Sequence, residues 1–201
     1  PLLNQLLGCS VYVKHENHHP TGAFKVRGGV NLVSRLSRED KQRGIITATR
    51  GNHGQSIAFA SQQYGVCCLV AVPLGNNPEK NDAMRAYGAE LIIHGRDFDE
   101  AREKVEEIQK SEGLRYVHSA NEPQLIHGVG TYALEILEDL SQPDYIFVPL
   151  GAGSGVCGVI TAVRALGVPV QVIGVQAEQA PAIYRSWKEG RMVMTESCHT
   201  M

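Results

Sequence analysis

Three short stretches carry residues whose types and spacing could do chemistry. The first is Pro20-Thr21-Gly22-Ala23-Phe24-Lys25-Val26-Arg27-Gly28-Gly29. It reads as a turn after a strand that opens a helix with Lys25 at its start. There the positive end of the helix dipole and the neighbouring Arg27 both favour the neutral amine, the form that attacks carbonyl carbon. A solvated lysine on a helix surface is the plainer reading of this stretch alone.

The second stretch, Thr47-Ala48-Thr49-Arg50-Gly51-Asn52-His53-Gly54-Gln55-Ser56, runs from a strand through a glycine-containing turn into a helix. Free backbone N–H groups at such a turn suit a carboxylate or a phosphate, and Asn52 can donate and accept there. An ordinary capped helix start accounts for it equally well. The third, Leu150-Gly151-Ala152-Gly153-Ser154-Gly155-Val156-Cys157-Gly158, is richer in glycine than a structural turn requires, which favours close backbone approach to a phosphate. Gly153, Gly155 and Gly158 also form a G-x-G-x-x-G. Glu178 lies about 20 residues beyond, the spacing of a dinucleotide-binding fingerprint. Such a unit usually opens its domain, whereas here most of the chain precedes it.

These turns need elements to hold them. Short apolar runs predict strands over Val11–Lys14, Ile45–Ala48, Cys67–Val72, Glu90–Ile93, Arg115–His118, Tyr145–Leu150 and Val170–Val175. Helical periodicity fits Val26–Leu36, His53–Tyr64, Glu79–Tyr87, Asp97–Ser111, Gln124–Leu140 and Val156–Leu166. In Asp97–Ser111, Phe98, Ala101, Val105 and Ile108 share one face, and Glu100/Lys104 and Glu106/Lys110 pair along the other. Gly65, Gly88, Gly113 and Gly167 each follow a helical stretch, where a left-handed residue is wanted. Continuously apolar strands separated by helices imply an α/β fold whose parallel sheets are covered on both faces.

Composition narrows the function. The 201 residues are 43% hydrophobic and 20% charged, with a formal net charge of −2 and no basic run. That excludes disorder and leaves no electrostatic footprint for nucleic acid or anionic lipid. No apolar run approaches the ~18 residues of a membrane-spanning helix. The five cysteines, Cys9, Cys67, Cys68, Cys157 and Cys198, lack metal-ligand spacing and read as reduced thiols of a cytoplasmic protein. The sequence starts at Pro1 without an initiator Met, and is read as a segment of a longer protein.

In this order, the three turns resemble the fold type II pyridoxal-phosphate enzymes, specifically the serine/threonine dehydratase (ammonia-lyase) group. The resemblance runs from Pro1-Leu2 and Lys14-His15-Glu16-Asn17 through Glu135-Ile136-Leu137 to Val170–Val175, and is faint beyond Glu178. It implies a tryptophan synthase β-like architecture of two lobes, each an open, twisted, mostly parallel sheet with flanking helices, truncated at the C-terminus. The larger, pyridoxal-phosphate-binding lobe is expected over residues 1–43 and 122–201, the smaller over 44–121. Lys25 matches the lysine that holds pyridoxal 5'-phosphate as a Schiff base, and Phe24 its ring-packing neighbour. Asn52 matches the partner of the cofactor's phenolic oxygen. Thr49, Gly51 and His53 fall in the loop that receives the substrate carboxylate, and Gly151, Ala152, Gly153, Ser154 and Gly155 match the phosphate cradle.

The departures inform as well. Ala23 stands where the family usually has serine. Arg50 occupies the position of the serine that acts as second base in serine racemases, and a guanidinium is a poor proton acceptor. Gln176 and Ala182 replace carboxylates of metal-activated relatives, so no metal is expected. His53, where sulfhydrylases carry threonine, favours dehydratases. The resemblance implies β-elimination of water from L-threonine or L-serine, giving a 2-oxo acid and ammonia, by a homodimer or higher oligomer. The cofactor phosphate, by the same resemblance, protonates the leaving hydroxyl. The rival readings are a nicotinamide-dependent enzyme using Gly153–Gly158 and Glu178, and a non-catalytic pyridoxal-phosphate-binding remnant.

Overall fold

Three α-helices precede the first strand, and six strands and six further α-helices then alternate, within residues 2–195, the part of the chain that the computed structural model describes. Cys198 lies outside those residues. The helices are α1 (Leu2–Leu7), α2 (Lys25–Ser34), α3 (Arg38–Arg43), α4 (Asn52–Tyr64), α5 (Pro78–Ala86), α6 (Phe98–Glu112), α7 (Pro123–Asp139), α8 (Ser154–Leu166) and α9 (Ala182–Glu189). The strands are β1 (Ile45–Ala48), β2 (Cys68–Val72), β3 (Glu90–Ile93), β4 (Arg115–Tyr116), β5 (Tyr145–Pro149) and β6 (Gln171–Val175).

A four-stranded sheet has the order β3-β2-β1-β4, and β5 and β6 form a separate pair. All pairings are parallel; Ile45 lies opposite Cys68 and Arg115, and Tyr145 opposite Gln171. Because side chains alternate along a strand, β1 feeds two cores. Ile45 packs with Ile57, Val70 and Met84 on the α4/α5 side. Ile46 and Ala48 pack with Ala101, Val105 and Ile108 of α6 on the other. All four residues of β1 are buried, as expected for a strand covered on both faces.

The β5–β6 pair departs from that expectation. Ile146 and Val148 join Val129, Ala133, Val159 and Val163 beneath α7 and α8. Tyr145 and Phe147 stay exposed on the opposite face, which no described helix covers. The apolar run of β5 is therefore buried on one side only.

Val11–Lys14 forms no strand. The Val11 N–H donates to Asn4 Oδ1 at 3.0 Å, while Tyr12 and Val13 are exposed. Without a neighbouring strand to complete its ladder, β-branched composition is not enough. The Lys25 stretch consequently follows a short 3-10 turn (Glu16–His18) and bends rather than a strand. Helix α3 had local signals that periodicity could not see, since all six of its residues are polar or charged. Ser37 Oγ caps it by accepting from the Asp40 N–H at 3.0 Å.

Helix α2 lies between α4 and α7. Its Gly28 meets α7, where a Cβ would fall 2.8 Å from the Leu125 carbonyl oxygen, and its Gly29 meets Ser56 of α4. Adjacent glycines thus let α2 touch a helix on each side at backbone distance. Helix α7 repeats the device against α8, through Gly130 and Gly158.

Candidate active site

Strands β1 and β5 each end in a turn that opens a helix; the lysine helix α2 packs on α4, and the side chains at its start reach the beginning of α8. The C-terminal edge of parallel strands, where helix N-termini converge, is the usual ligand position in such sheets. Lys25 is the first residue of α2. The Ser56 hydroxyl donates to the Lys25 carbonyl oxygen at 2.6 Å, fixing the lysine backbone to α4. The Lys25 side chain runs the other way: Nζ donates to the Ser154 hydroxyl at the start of α8, across 129 residues of sequence. It passes over the Phe24 ring, 5.4 Å from the centroid.

Burial lowers the Lys25 pKa to about 8. Arg27 is not the cause. Its guanidinium faces away and is held by two carboxylates, with Nε 2.7 Å from Glu16 Oε2 and Nη1 2.6 Å from Glu135 Oε1. Lys14 Nζ adds a second cation, 2.6 Å from Glu135. Hydrogen bonds from Arg27 and then Lys14 pull the Glu135 carboxyl down to about 2. The expected charge effect of Arg27 on Lys25 is thus replaced by desolvation, with Arg27 serving as a clamp.

In the glycine turn, Gly153 has φ +98 and immediately precedes α8. A Cβ at Gly151 or Gly153 would meet nothing within 4 Å, so the mouth of the turn is open. A Cβ at Gly155 would instead lie 3.1 Å from the Phe24 ring. Ser154 and Gly155 are buried, whereas Gly151 and Ala152 are exposed. The first N–H groups of α8 lack intrahelical acceptors and carry the positive end of its dipole. Gly158 does not belong to this cradle: its Cα packs against α7, where a Cβ would sit 2.8 Å from the Gly130 nitrogen. The formal fingerprint therefore mixes a ligand turn with a helix-packing glycine, and Glu178 is exposed.

In the second turn, Thr49 Oγ1 accepts from the N–H groups of Gly51 (3.0 Å) and Gly54 (3.2 Å), shaping the loop from beneath. Arg50 is exposed above it. Asn52 is exposed too, and its Oδ1 accepts from Lys80 Nζ at 2.9 Å; the described contacts join it to Lys80, not to Lys25.

His53 is buried, and its side chain points into the protein. Thr47 Oγ1 lies 2.7 Å from the Val117 carbonyl oxygen and 2.9 Å from His53 Nε2. One hydroxyl has one proton; given to Val117, it leaves Oγ1 to accept from Nε2–H. That assigns the tautomer and leaves Nδ1 as a buried acceptor with no partner among the described residues. Burial, followed by the nearby Lys25 charge, lowers the His53 pKa to about 3. The imidazole is therefore neutral, and the part of His53 turned to the loop is its backbone.

Sequence reasoning missed Ser56 and Tyr132. The Tyr132 hydroxyl donates to the Gly155 carbonyl oxygen at 3.3 Å, and its ring packs on Phe24 with centroids 5.8 Å apart. Neither had a local signal, because each acts on a partner far away in the chain.

The site defined by this geometry belongs to an α/β enzyme in which a partly buried, readily deprotonated lysine faces an anion cradle. The chain belongs to the family of pyridoxal-phosphate dependent enzymes, which matches it over residues 1–201. It is 38% identical over 200 residues to the L-threonine ammonia-lyase of Thermotoga maritima, covering all of this chain and 50% of that protein. Among solved structures, the processed threonine deaminase isoform 2 of Solanum lycopersicum superposes with a TM-score of 0.91 at 34% identity, over 97% of this chain and 57% of that one. Maize serine racemase superposes with a TM-score of 0.94 at 25% identity, over 98% of this chain and 60% of that one. The chain spans about half the length of the curated relatives it matches. The family replaces the dinucleotide reading of Gly153–Gly158.

The residues present fit the cofactor. Lys25 Nζ reaches Ser154 at the start of α8, so an aldehyde at the lysine and a phosphate at the α8 N-terminus fall within one site. Open space at Gly151 and Gly153 leaves room for the phosphate.

Proposed function

We propose that the protein eliminates water from L-threonine or L-serine with pyridoxal phosphate, giving a 2-oxo acid and ammonia. The observation that carries this is the partly buried Lys25 amine, with its pKa near 8, placed on Ser154 at the start of α8 beside the glycine turn. A lysine that loses its proton this readily can both attach an aldehyde and take a proton from carbon. Relatives named threonine ammonia-lyase and threonine dehydratase support the substrate class.

The cofactor would be held by Lys25, with Phe24 packed beside it and the backbone of Gly151, Ala152, Gly153, Ser154 and Gly155 around its phosphate. Asn52 would reach it on releasing Lys80. Bound there, pyridoxal phosphate supplies an electron sink for the charge that develops at the substrate Cα. Lys25, freed when the substrate amine takes its place, would accept the Cα proton as general base. The Cβ–O bond breaks as the hydroxyl leaves with a proton, as water. The released enamine tautomerises to an imine, which water hydrolyses to the 2-oxo acid and ammonia.

The substrate carboxylate is assigned to the 49–54 turn. Thr49 holds that loop in shape by accepting from the Gly51 and Gly54 N–H groups, and the N–H groups at the start of α4, including that of His53, would face the anion. Arg50 has no lone pair to act as a second base, which supports elimination over racemisation. The division into lobes, 1–43 with 122–201 and 44–121, belongs to the same reading; the placement of β1 and β5 in different sheets supports it.

A cytoplasmic homodimer or higher oligomer completes the proposal. No described helix is long and apolar enough to cross a membrane. The described cysteines are free, which supports a reducing compartment.

The test uses full-length protein. Borohydride treatment of the cofactor-loaded enzyme should fix the cofactor on Lys25, read by peptide mass mapping. L-threonine and L-serine should each yield 2-oxo acid and ammonia in equal amounts. Cofactor fixed on another lysine, or no ammonia released from either amino acid, overturns the reading.

A further inference from the structure

We propose that Thr47 is a positioning residue for the substrate carboxylate, acting through the ring of His53 on the free N–H groups of the 49–54 turn. The Thr47 hydroxyl ties that ring to the Val117 carbonyl, so the turn after β1 is anchored to the chain leaving β4. The proposal rests on the reading of this turn as the carboxylate site, and gives the inward-facing histidine side chain a task there.

Thr49 Oγ1 occupies the N–H groups of Gly51 and Gly54. Those of Asn52 and His53, between them, have no acceptor among the described residues and are the ones an anion can use. Thr49 thus holds the flanks of the turn, and its middle needs a different anchor. His53 supplies one of the two free N–H groups, and the hydrogen bond to Thr47 is the only one its buried ring makes among the described residues. The direction of that bond is forced. The Val117 carbonyl, 2.7 Å from Thr47 Oγ1, can only accept, so the hydroxyl donates to it and accepts from His53 Nε2–H. In the other tautomer one hydroxyl proton would have to serve both Val117 and Nε2. The Nδ1 proton would also be buried without an acceptor, which costs more than an idle lone pair.

The arrangement has a mechanical consequence. Strand β1 is buried throughout and paired on both sides, with Thr47 opposite Val70 of β2. Through His53, the N–H groups at the start of α4 take their position from this strand rather than from an exposed loop. Without the hydroxyl, Nε2–H and the Val117 carbonyl both lose their partner where water has little access, since Thr47 and Val117 are 0% exposed. The ring must then turn to find another acceptor, and it carries the first turn of α4 with it.

The experiment uses full-length, cofactor-loaded parent, Thr47→Val, which keeps the shape, and Thr47→Ser, which keeps the hydroxyl. The probes are L-alanine, which has no leaving group on Cβ, and L-alaninamide, which lacks the carboxylate charge; binding is read from the cofactor absorbance. Thr47→Val should bind L-alanine roughly tenfold more weakly, the loss of about one hydrogen bond to a charged group. Its affinity for L-alaninamide should stay within about twofold, and Thr47→Ser should recover most of the loss. KM for L-threonine should rise about as much as the L-alanine affinity falls, with kcat less affected. Equal weakening of both probes, unchanged L-alanine affinity in Thr47→Val, or a serine variant no better than valine overturns the proposal. Nitrogen-15 NMR of labelled histidine in the parent, needing no Thr47 variant, should show His53 as the Nε2–H tautomer; the Nδ1–H tautomer overturns it too. Thr49→Val loosens the same turn from its other side and separates the two failures. If it weakens L-alanine selectively while Thr47→Val does not, only the role of Thr47 falls; if neither does, the carboxylate assignment falls with it.

Discussion

Lys25 reacts through its neutral form, and burial sets how much of that form exists. With a pKa near 8, the ammonium dominates below pH 8, so uptake of pyridoxal phosphate by cofactor-free enzyme should accelerate about tenfold per pH unit up to about 8 and then level off. Stopped-flow absorbance across pH 6–9 checks this; a flat profile below pH 8 counts against a desolvated lysine. Lys25→Ala and Lys25→Arg should both lose covalent attachment and elimination, since a guanidinium keeps its proton. His53 gives a second titration with the opposite consequence. Its folded pKa of about 3 lies below the unfolded value of 6.5, so at pH 7 the ring is neutral in both states. As pH falls from 6.5 towards 3, only the unfolded chain gains the proton. Stability should therefore drop with acidification, by up to about 1.4 kcal/mol per pH unit. Urea titrations at pH 7 and pH 5 should show a smaller difference for His53→Gln than for the parent.

At the scale of elements, the glycines of α2, α7 and α8 decide how closely the lysine helix and the cradle helix approach the helix between them. Replacing a mid-helix glycine by alanine ordinarily stabilises by up to about 1 kcal/mol. At Gly158 the sign should reverse. A Cβ there lies 2.8 Å from the Gly130 nitrogen and 3.0 Å from the Ile126 carbonyl oxygen, both backbone atoms. Gly158→Ala should destabilise by roughly 1–3 kcal/mol as α7 and α8 are forced apart, measured by thermal or urea unfolding. An alanine variant that melts at or above the parent temperature would mean that the helices relax without cost. Helix α6 shows the contrasting case of an element that its own sequence specifies. Ala101, Val105 and Ile108 are buried on one face. Asp97 caps the helix by accepting from the Asp99 and Glu100 N–H groups at 3.0 Å, and Gly113 closes it at φ +74.

Across the whole molecule, Arg27 joins three parts of the chain. Through Glu16 it holds the segment before α2, and through Glu135 it holds α7, with Lys14 closing the circuit. The Glu16 arm is the stronger, because both of its side chains are at most 15% exposed, whereas Glu135 is 41% exposed and screened by water. Arg27→Met should leave Glu16 without its guanidinium and destabilise on the order of 3 kcal/mol. Arg27→Lys should recover only part of this, since an ammonium cannot bridge two carboxylates as a planar fork does. Calorimetry of the two variants and the parent reads the order directly; equal melting of Lys and parent would show that charge alone suffices.

Most elements around the site were legible locally. Apolar runs separated by periodic helices placed β1, β2, β3, β5 and β6 to within a residue of their observed limits, and glycine followed α4, α6 and α8 in the left-handed conformation. The turns after β1 and β5 stood out because glycines and a strand end are neighbours in sequence, and the Lys25 stretch because its lysine lies among glycines. Pairing and direction were not legible. Val11–Lys14 has strand composition but no partner, and β5 is apolar throughout yet covered on one side. The lysine, its cradle and its carboxylate turn were each visible, but not that Lys25 Nζ ends on Ser154, that Asn52 engages Lys80, or that His53 turns inward to Thr47. The sequence by itself determined which residues can attack, cradle or titrate, because residue type and local backbone fix those capacities. Only the tertiary structure decided which of them meet and which proton each one holds, because desolvation and hydrogen-bond geometry depend on neighbours that the chain brings from more than 100 residues away.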